Sequence, residues 1–209
     1  MKNHITKKSI AIISLALLIL ITVGTTLALV FTDTKPVQNT FTPSRVSCAV
    51  VETLVNGDNS TTTETSAGTV SNFTSKSDVK IKNTGDTDAY IRVAIVVNWM
   101  SESGNVYAMK PVQGNDYSMS LILTNGGWFE EGGYYYYSMP VAPGDFTPVL
   151  IKEAKILGTA NKPQGDYDLS IEIVASAIQS APGSVVKDNW KIEPNQSGML
   201  NDPSTEASE

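Results

Sequence analysis

The sequence predicts an all-β protein: an antiparallel β-sandwich of jelly-roll type, preceded by an N-terminal signal-peptide helix and followed by a disordered tail. Three observations carry the fold class. Apolar residues recur at every second position, as in Ile91, Val93, Ile95, Val97 and Trp99, which alternate with Tyr90, Arg92, Ala94, Val96 and Asn98. That period places one apolar face on a strand. Turn-forming clusters punctuate the chain at Asn56-Gly57, Asn83-Thr84-Gly85-Asp86, Asn125-Gly126-Gly127, Gly132-Gly133, Pro143-Gly144-Asp145 and Gln164-Gly165-Asp166. Beyond residue 28 no long stretch shows a helical period.

The chain opens on a basic segment with Lys2, Lys7 and Lys8, followed by a 14-residue run of apolar and small residues from Ile10 to Val23. This is the pattern of a secretory signal peptide. Gly24 breaks the run, and Thr26 and Ala28 are small residues spaced for the −3 and −1 positions of a cleavage site. The cut is expected after Ala28, which makes residues 1–28 the signal peptide. An uncleaved anchor is the competing reading, because the run counted through Phe31 is about long enough for a ~30 Å hydrocarbon core.

Residues 29–44 form an extended segment with Pro36, Pro43 and little periodicity. Residues 45–191 are expected to hold about eight strands. Two are long: the one around Ile91–Trp99, and Tyr167–Ile178, where Tyr167, Leu169, Ile171, Ile173, Ala175 and Ala177 alternate with more polar residues. Shorter candidates are Arg45–Glu52, Ser77–Lys82, Val106–Met109, Ser118–Leu123, Tyr134–Ser138 and Thr147–Lys152. Eight strands with such punctuation imply a two-sheet sandwich. The Ser/Thr-rich stretch Asn59–Ser71 is expected to be a mobile loop, and a short helix is expected after Ser184, ending near Trp190. Residues 192–209 are polar and acidic and are expected to form a disordered tail.

The formal charge is −6, and loss of the three lysines of the signal segment takes it to −9. Such a surface argues against nucleic acid or anionic lipid as partners. Membrane contact is expected only through the signal segment before cleavage. Cys48 is the single cysteine, so no intrachain disulfide forms, and it shares a strand face with Val46 and Val50.

The only histidine is His4, inside the signal segment. The mature part therefore has no imidazole for Ser-His-Asp or Cys-His catalysis, nor for a His-Glu-x-x-His zinc site. No cofactor or metal site is expected, and no catalytic residue. Glu130, Glu131, Asp86 and Asp88 are read as solvated loop acids, because nothing around them has the spacing of a calcium loop. Tyr134, Tyr135, Tyr136 and Tyr137 place two rings on each side of a strand. Two of them are expected to be exposed as a ligand or packing surface.

Several of these segments resemble a known family. Gly24-Thr25-Thr26-Leu27-Ala28, Phe31-Thr32-Asp33 and Asn39-Thr40-Phe41-Thr42 resemble the junction of proteins exported by the SipW-type signal peptidase of Gram-positive bacteria, the TasA and camelysin family. Lys82-Asn83-Thr84-Gly85-Asp86, running into Ala89-Tyr90-Ile91-Arg92-Val93, resembles the turn and strand those proteins carry. Ala177-Ile178-Gln179 followed by Trp190 resembles the closing segment of their clostridial branch. The resemblance implies a secreted jelly-roll protein of the cell surface or biofilm matrix. It would be a fibre subunit or fibre-associated protein without catalytic activity, partnered by itself or by a sibling matrix protein. A monomeric surface binding module or adhesin is the alternative. It also implies assembly by a donated N-terminal strand, here within 29–44, with Val30, Phe31, Val37 and Phe41 as anchors. Pro36 and Pro43 interrupt such a strand, since each lacks a ladder donor. The protease activity described for camelysin is not carried over, because the histidines are missing.

Overall fold

A computed structural model of the chain describes residues 44–56, 59–65, 75–158 and 160–203. The signal segment, the cleavage residues Thr26 and Ala28, and the anchors Val30, Phe31, Val37 and Phe41 lie outside the described residues. So do 66–71 and 204–209.

Among the described residues nine strands build two antiparallel sheets. They are β1 (Cys48–Asn56), β2 (Asn59–Thr65), β3 (Ser75–Asn83), β4 (Ala89–Ser101), β5 (Tyr117–Leu121), β6 (Trp128–Glu131), β7 (Tyr134–Tyr137), β8 (Ile151–Ile156) and β9 (Tyr167–Gln179). One sheet has the order β2-β1-β3-β8-β5, the other β6-β7-β4-β9. The chain crosses between sheets from β3 to β4, β4 to β5, β5 to β6, β7 to β8 and β8 to β9. Val50, Val79, Ile81, Leu150 and Ile151 of the first sheet side meet Ile91, Val93, Trp99, Leu169, Ile171 and Ile173 of the second, and together they form the main core. The two long strands β4 and β9 pair over their full length, from Ala89↔Gln179 to Ser101↔Tyr167. Their register puts both apolar faces inward, which a slip of one residue would reverse.

The predicted sandwich is therefore present, with shifts at particular elements. Asn59–Thr65 is an edge strand, whereas a loop was expected. It runs against β1 from Asn56↔Asn59 to Val50↔Thr65, and the Thr53 and Thr62 hydroxyls meet across the pair at 3.1 Å. Threonines suit an exposed edge strand, where β-branching helps and little apolar area is needed. Val106–Met109 makes no strand. Gly104 turns the chain at φ +82°, and only Val106 bridges back to Met100. The strand expected at Thr147–Lys152 becomes regular only at Ile151. Pro148 interrupts the ladder, although Thr147 and Leu150 already donate to Ile81 and Val79 of β3 at 2.8 Å each. Trp128–Glu131 is a strand that sequence reading left out. It joins β7 through Gly132 and Gly133, both at positive φ, the geometry of a two-residue hairpin turn.

A second, smaller core covers the outer face of the β6-β7-β4-β9 sheet. Helix α1 (Ser184–Trp190) and the segment after it supply Val186, Trp190, Ile192 and Leu200, which pack on Tyr90, Phe129 and Tyr136. This corrects the expected tail boundary at residue 192. Ile192 and Leu200 are buried, Pro194 and Leu200 bridge each other, and the Leu200 N–H donates to the Ser138 carbonyl at 2.8 Å. The segment is polar in composition, but two well-spaced apolar side chains suffice to seat it as a strap. Among the described residues no helix is long and apolar enough to cross a membrane.

Candidate functional site

The motif Asn83-Thr84-Gly85-Asp86 forms the turn between β3 and β4, and it grips the residues that lead into β1. Asn83 is buried and organises the turn. Its side-chain amide donates to the Thr87 and Val141 carbonyls, each at 2.8 Å, and its Oδ1 accepts the Gly85 N–H at 2.9 Å. The turn then binds Arg45 and Ser47. The Arg45 N–H donates to Asp86 Oδ1 at 2.7 Å, and the Asp86 N–H donates to the Arg45 carbonyl at 3.0 Å. The Thr84 N–H donates to the Ser47 carbonyl at 3.0 Å, and the two hydroxyls meet at 2.9 Å. Arg45 Nη2 closes the clamp on the Thr84 carbonyl at 3.0 Å. Asp86 thus has a structural partner and is not a free loop acid. The clamp sits where β4 begins, so Arg45 and Ser47, which lead into β1, are held at one end of the sandwich.

At the opposite end, after β4, residues 102–116 make an exposed loop that presents Val106, Tyr107, Met109 and Val112. Asp116 is its hub. The buried carboxylate accepts from the Val112 and Asn161 N–H groups at 2.7 Å each, and from Asn115 Nδ2 at 3.1 Å. Those backbone bonds, Asn161 first and then Val112, hold the carboxyl below its ordinary pKa.

The tyrosine cluster does not form the exposed surface expected of it. Tyr135 and Tyr137 pack against the main core. Tyr136 is buried in the second core, stacked on Phe129 at 5.4 Å and edge-on to Trp190 at 5.8 Å. Tyr134 is half-buried and, with Trp190, sandwiches the Arg92 guanidinium at 4.3 and 4.7 Å. None of the four is exposed. The second core explains this, because α1 and its following segment cover the ring face that the strand pattern leaves open. Burial raises the Tyr135 and Tyr137 phenols, with the Glu130 charge adding at Tyr135. All three tryptophans are buried as well.

Glu130 and Glu131 end β6 as exposed edge residues, and Asp88 is exposed. Among the described residues no three of His, Cys, Asp and Glu converge on a metal-sized site. Cys48 packs against the core, half-buried, and burial pushes its thiol up to about 11.

Sequence reading missed Glu52 and Lys76. Glu52 is in phase with Cys48 and Val50 on the inward face of β1, so the period-two pattern already pointed it inward. Lys76 is out of phase with Val79 and Ile81, because Asp78 at φ +55° kinks β3 between them. Nothing in the residue types announces that kink.

No family model, no curated protein and no solved structure matches this chain.

Proposed function

We propose that the chain is an exported, non-catalytic subunit of a cell-surface or matrix assembly, and that the finer topology of its sandwich is a jelly roll. In this reading a SipW-type peptidase removes residues 1–28, and residues 29–44 of one copy join a second copy or a sibling matrix protein by strand addition. The observation that carries it is the clamp, whose mutual hydrogen bonds between Arg45–Ser47 and Thr84–Asp86 root that segment at one end of the sandwich. A segment that must bear load or enter a partner needs a fixed origin, because an unordered one spreads its binding energy over many directions. An acceptor edge is also at hand: the 13-residue β9 ends its sheet and pairs there with β4 alone among the described strands. Backbone bonds along such an edge give affinity, and alternate side chains give specificity. The crossovers between sheets favour the jelly roll. The acidic charge keeps nucleic acid and anionic lipid from the list of partners.

The test is the size of the protein recovered from its native host, read with its N-terminal sequence and compared with a Leu29–Ser44 deletion. High-mass material beginning near residue 29, lost on deletion, is the expected result. A monomer at all concentrations that is indifferent to the deletion would end the reading.

A second reading, a monomeric surface binding module, is favoured by the loop carrying Val106, Tyr107, Met109 and Val112. Exposed apolar side chains gathered on one loop mark contact surfaces. Binding to glycan or matrix-protein arrays that disappears in Met109→Ser would support it.

A further inference from the structure

Among the described residues most ion pairs stand in water: Lys82–Glu64, Lys155–Glu153, Lys162–Asp168 and Lys187–Glu193 are all substantially exposed. Lys76–Glu52 is different. Lys76 is 1% exposed and Glu52 4%, and they reach each other from the neighbouring strands β3 and β1. Nζ lies 2.9 Å from Glu52 Oε2, yet this approach lacks the alignment of a hydrogen bond at that oxygen. One directed bond of the ammonium goes across the sandwich to the Ile171 carbonyl of β9, at 2.9 Å. An amine and a carboxyl are therefore held in contact inside a core.

We propose that Lys76 and Glu52 condense into an amide, making a covalent staple between β1 and β3. In the reacting step one Nζ proton passes to the carboxylate, which gives the amine a lone pair and the acid a hydroxyl to lose. The Nζ lone pair attacks Glu52 Cδ and the Nζ–Cδ bond forms. A second Nζ proton joins the departing hydroxyl, the Cδ–O bond breaks, and one water leaves. The remaining N–H stays directed at the Ile171 carbonyl. No oxidant, reductant or cofactor enters the balance.

Two effects favour the product. Groups held in contact react with effective molarities of roughly 10⁵–10⁸ M, which offsets the tendency of dilute acid and amine to stay apart in water. Glu52 and Lys76 are also almost sealed from solvent, so the reverse step has little water at hand. The staple would serve a fold that has no disulfide, since Cys48 is its single cysteine. It would close the stretch between residues 52 and 76, including the whole of β2, and does not depend on the function proposed above.

The experiment is intact mass spectrometry of the full chain under denaturing conditions, followed by proteolysis. The expected result is a protein lighter than its sequence by one water, and a branched peptide joining the fragments that contain Glu52 and Lys76. Lys76→Arg, which keeps the charge without the amine nucleophile, is expected at its full sequence mass. The branched peptide is read on the wild-type chain, so a variant that fails to fold does not blunt the test. A wild-type chain at full sequence mass overturns the proposal, as does a lost water that maps to any other pair of residues.

Discussion

Arg45 and Asp86 hydrogen-bond each other reciprocally: the Arg45 N–H donates to the Asp86 carboxylate at 2.7 Å, and the Asp86 N–H donates back to the Arg45 carbonyl at 3.0 Å. Such closeness is possible because Gly85 has no side chain. A Cβ at Gly85 would collide with the Arg45 carbonyl oxygen and press on the Ser47 nitrogen. Both obstacles are backbone, so neither can swing aside. Gly85→Ala is expected to destabilise the fold by about 1–3 kcal/mol, the usual cost of forcing atoms into a packed site. Urea titration checks this as a lower midpoint with an unchanged slope. A midpoint equal to wild type would mean that the clamp opens at no cost.

The same turn shows what was legible in the sequence. Asn83-Thr84-Gly85-Asp86 is readable as a turn because Asn, Gly and Asp tolerate its backbone, but its grip on Arg45 and Ser47 is not. That grip depends on which strand comes alongside, a long-range fact. Strands β4 and β9 were legible because one face of each is buried and the period is clean over many residues. β2 was not, because an edge strand satisfies itself with threonines and needs no apolar face. The tyrosines of β7 were legible as two rings on each side. Their burial was not, because it is set by Trp190, Ile192 and Leu200, which lie far along the chain in a segment whose composition reads as tail. The buried Lys76 stayed hidden behind the kink at Asp78, which shifts the phase of β3 midway.

Asp116 gives a pH prediction whose sign follows from its environment. Backbone N–H groups of Asn161 and Val112 hold its folded pKa below the ordinary value. Its contribution is therefore complete above the unfolded carboxyl value, near 3.9, and is lost as pH falls through the lower folded one. Asp116→Asn removes the charge and leaves one acceptor oxygen for two backbone donors, because Val112 and Asn161 donate to different oxygens of the carboxylate. The gap in melting temperature between wild type and Asp116→Asn is expected to be widest at neutral pH and to narrow below about pH 4. A gap that is constant down to pH 2 would assign the effect to packing instead of charge. Hydrogen exchange at Val112 or Asn161 should quicken in the variant, since one of those amides then faces the side-chain NH2 in place of an acceptor oxygen.

Cys48 offers a chemical readout of burial. Its thiol is pushed up to about 11 by the apolar surroundings at the start of β1. Alkylation needs the thiolate, and against an ordinary value of 9.0 this rise lowers the thiolate fraction about a hundredfold. Iodoacetamide at pH 8 is expected to label the native protein at least about a hundred times more slowly than the urea-unfolded protein, because restricted access adds to the lower thiolate fraction. Equal rates would mean that the first turn of β1 opens freely.

The strap after α1 is the element in which sequence and structure differ most, and it carries the last prediction. Leu200 is buried against Tyr90 and Tyr136, its N–H donates to the Ser138 carbonyl, and the Tyr90 hydroxyl donates to the Gly198 carbonyl at 2.8 Å. If residues 192–203 were a loose tail, their removal would cost nothing. Seated as they are, Leu200→Ala is expected to cost about 2–5 kcal/mol, at the lower end if the strap relaxes into the space. A chain stopped after Glu193 loses the leucine and also leaves the Tyr90 hydroxyl without its acceptor, so it should be less stable still. Gln196→Ala, on the exposed side of the same strap, should stay within about 0.5 kcal/mol of wild type. Thermal melts of the three variants decide the matter. The strap is part of the fold if the order is Gln196→Ala, then Leu200→Ala, then the truncation, and it is a tail if all three melt with wild type.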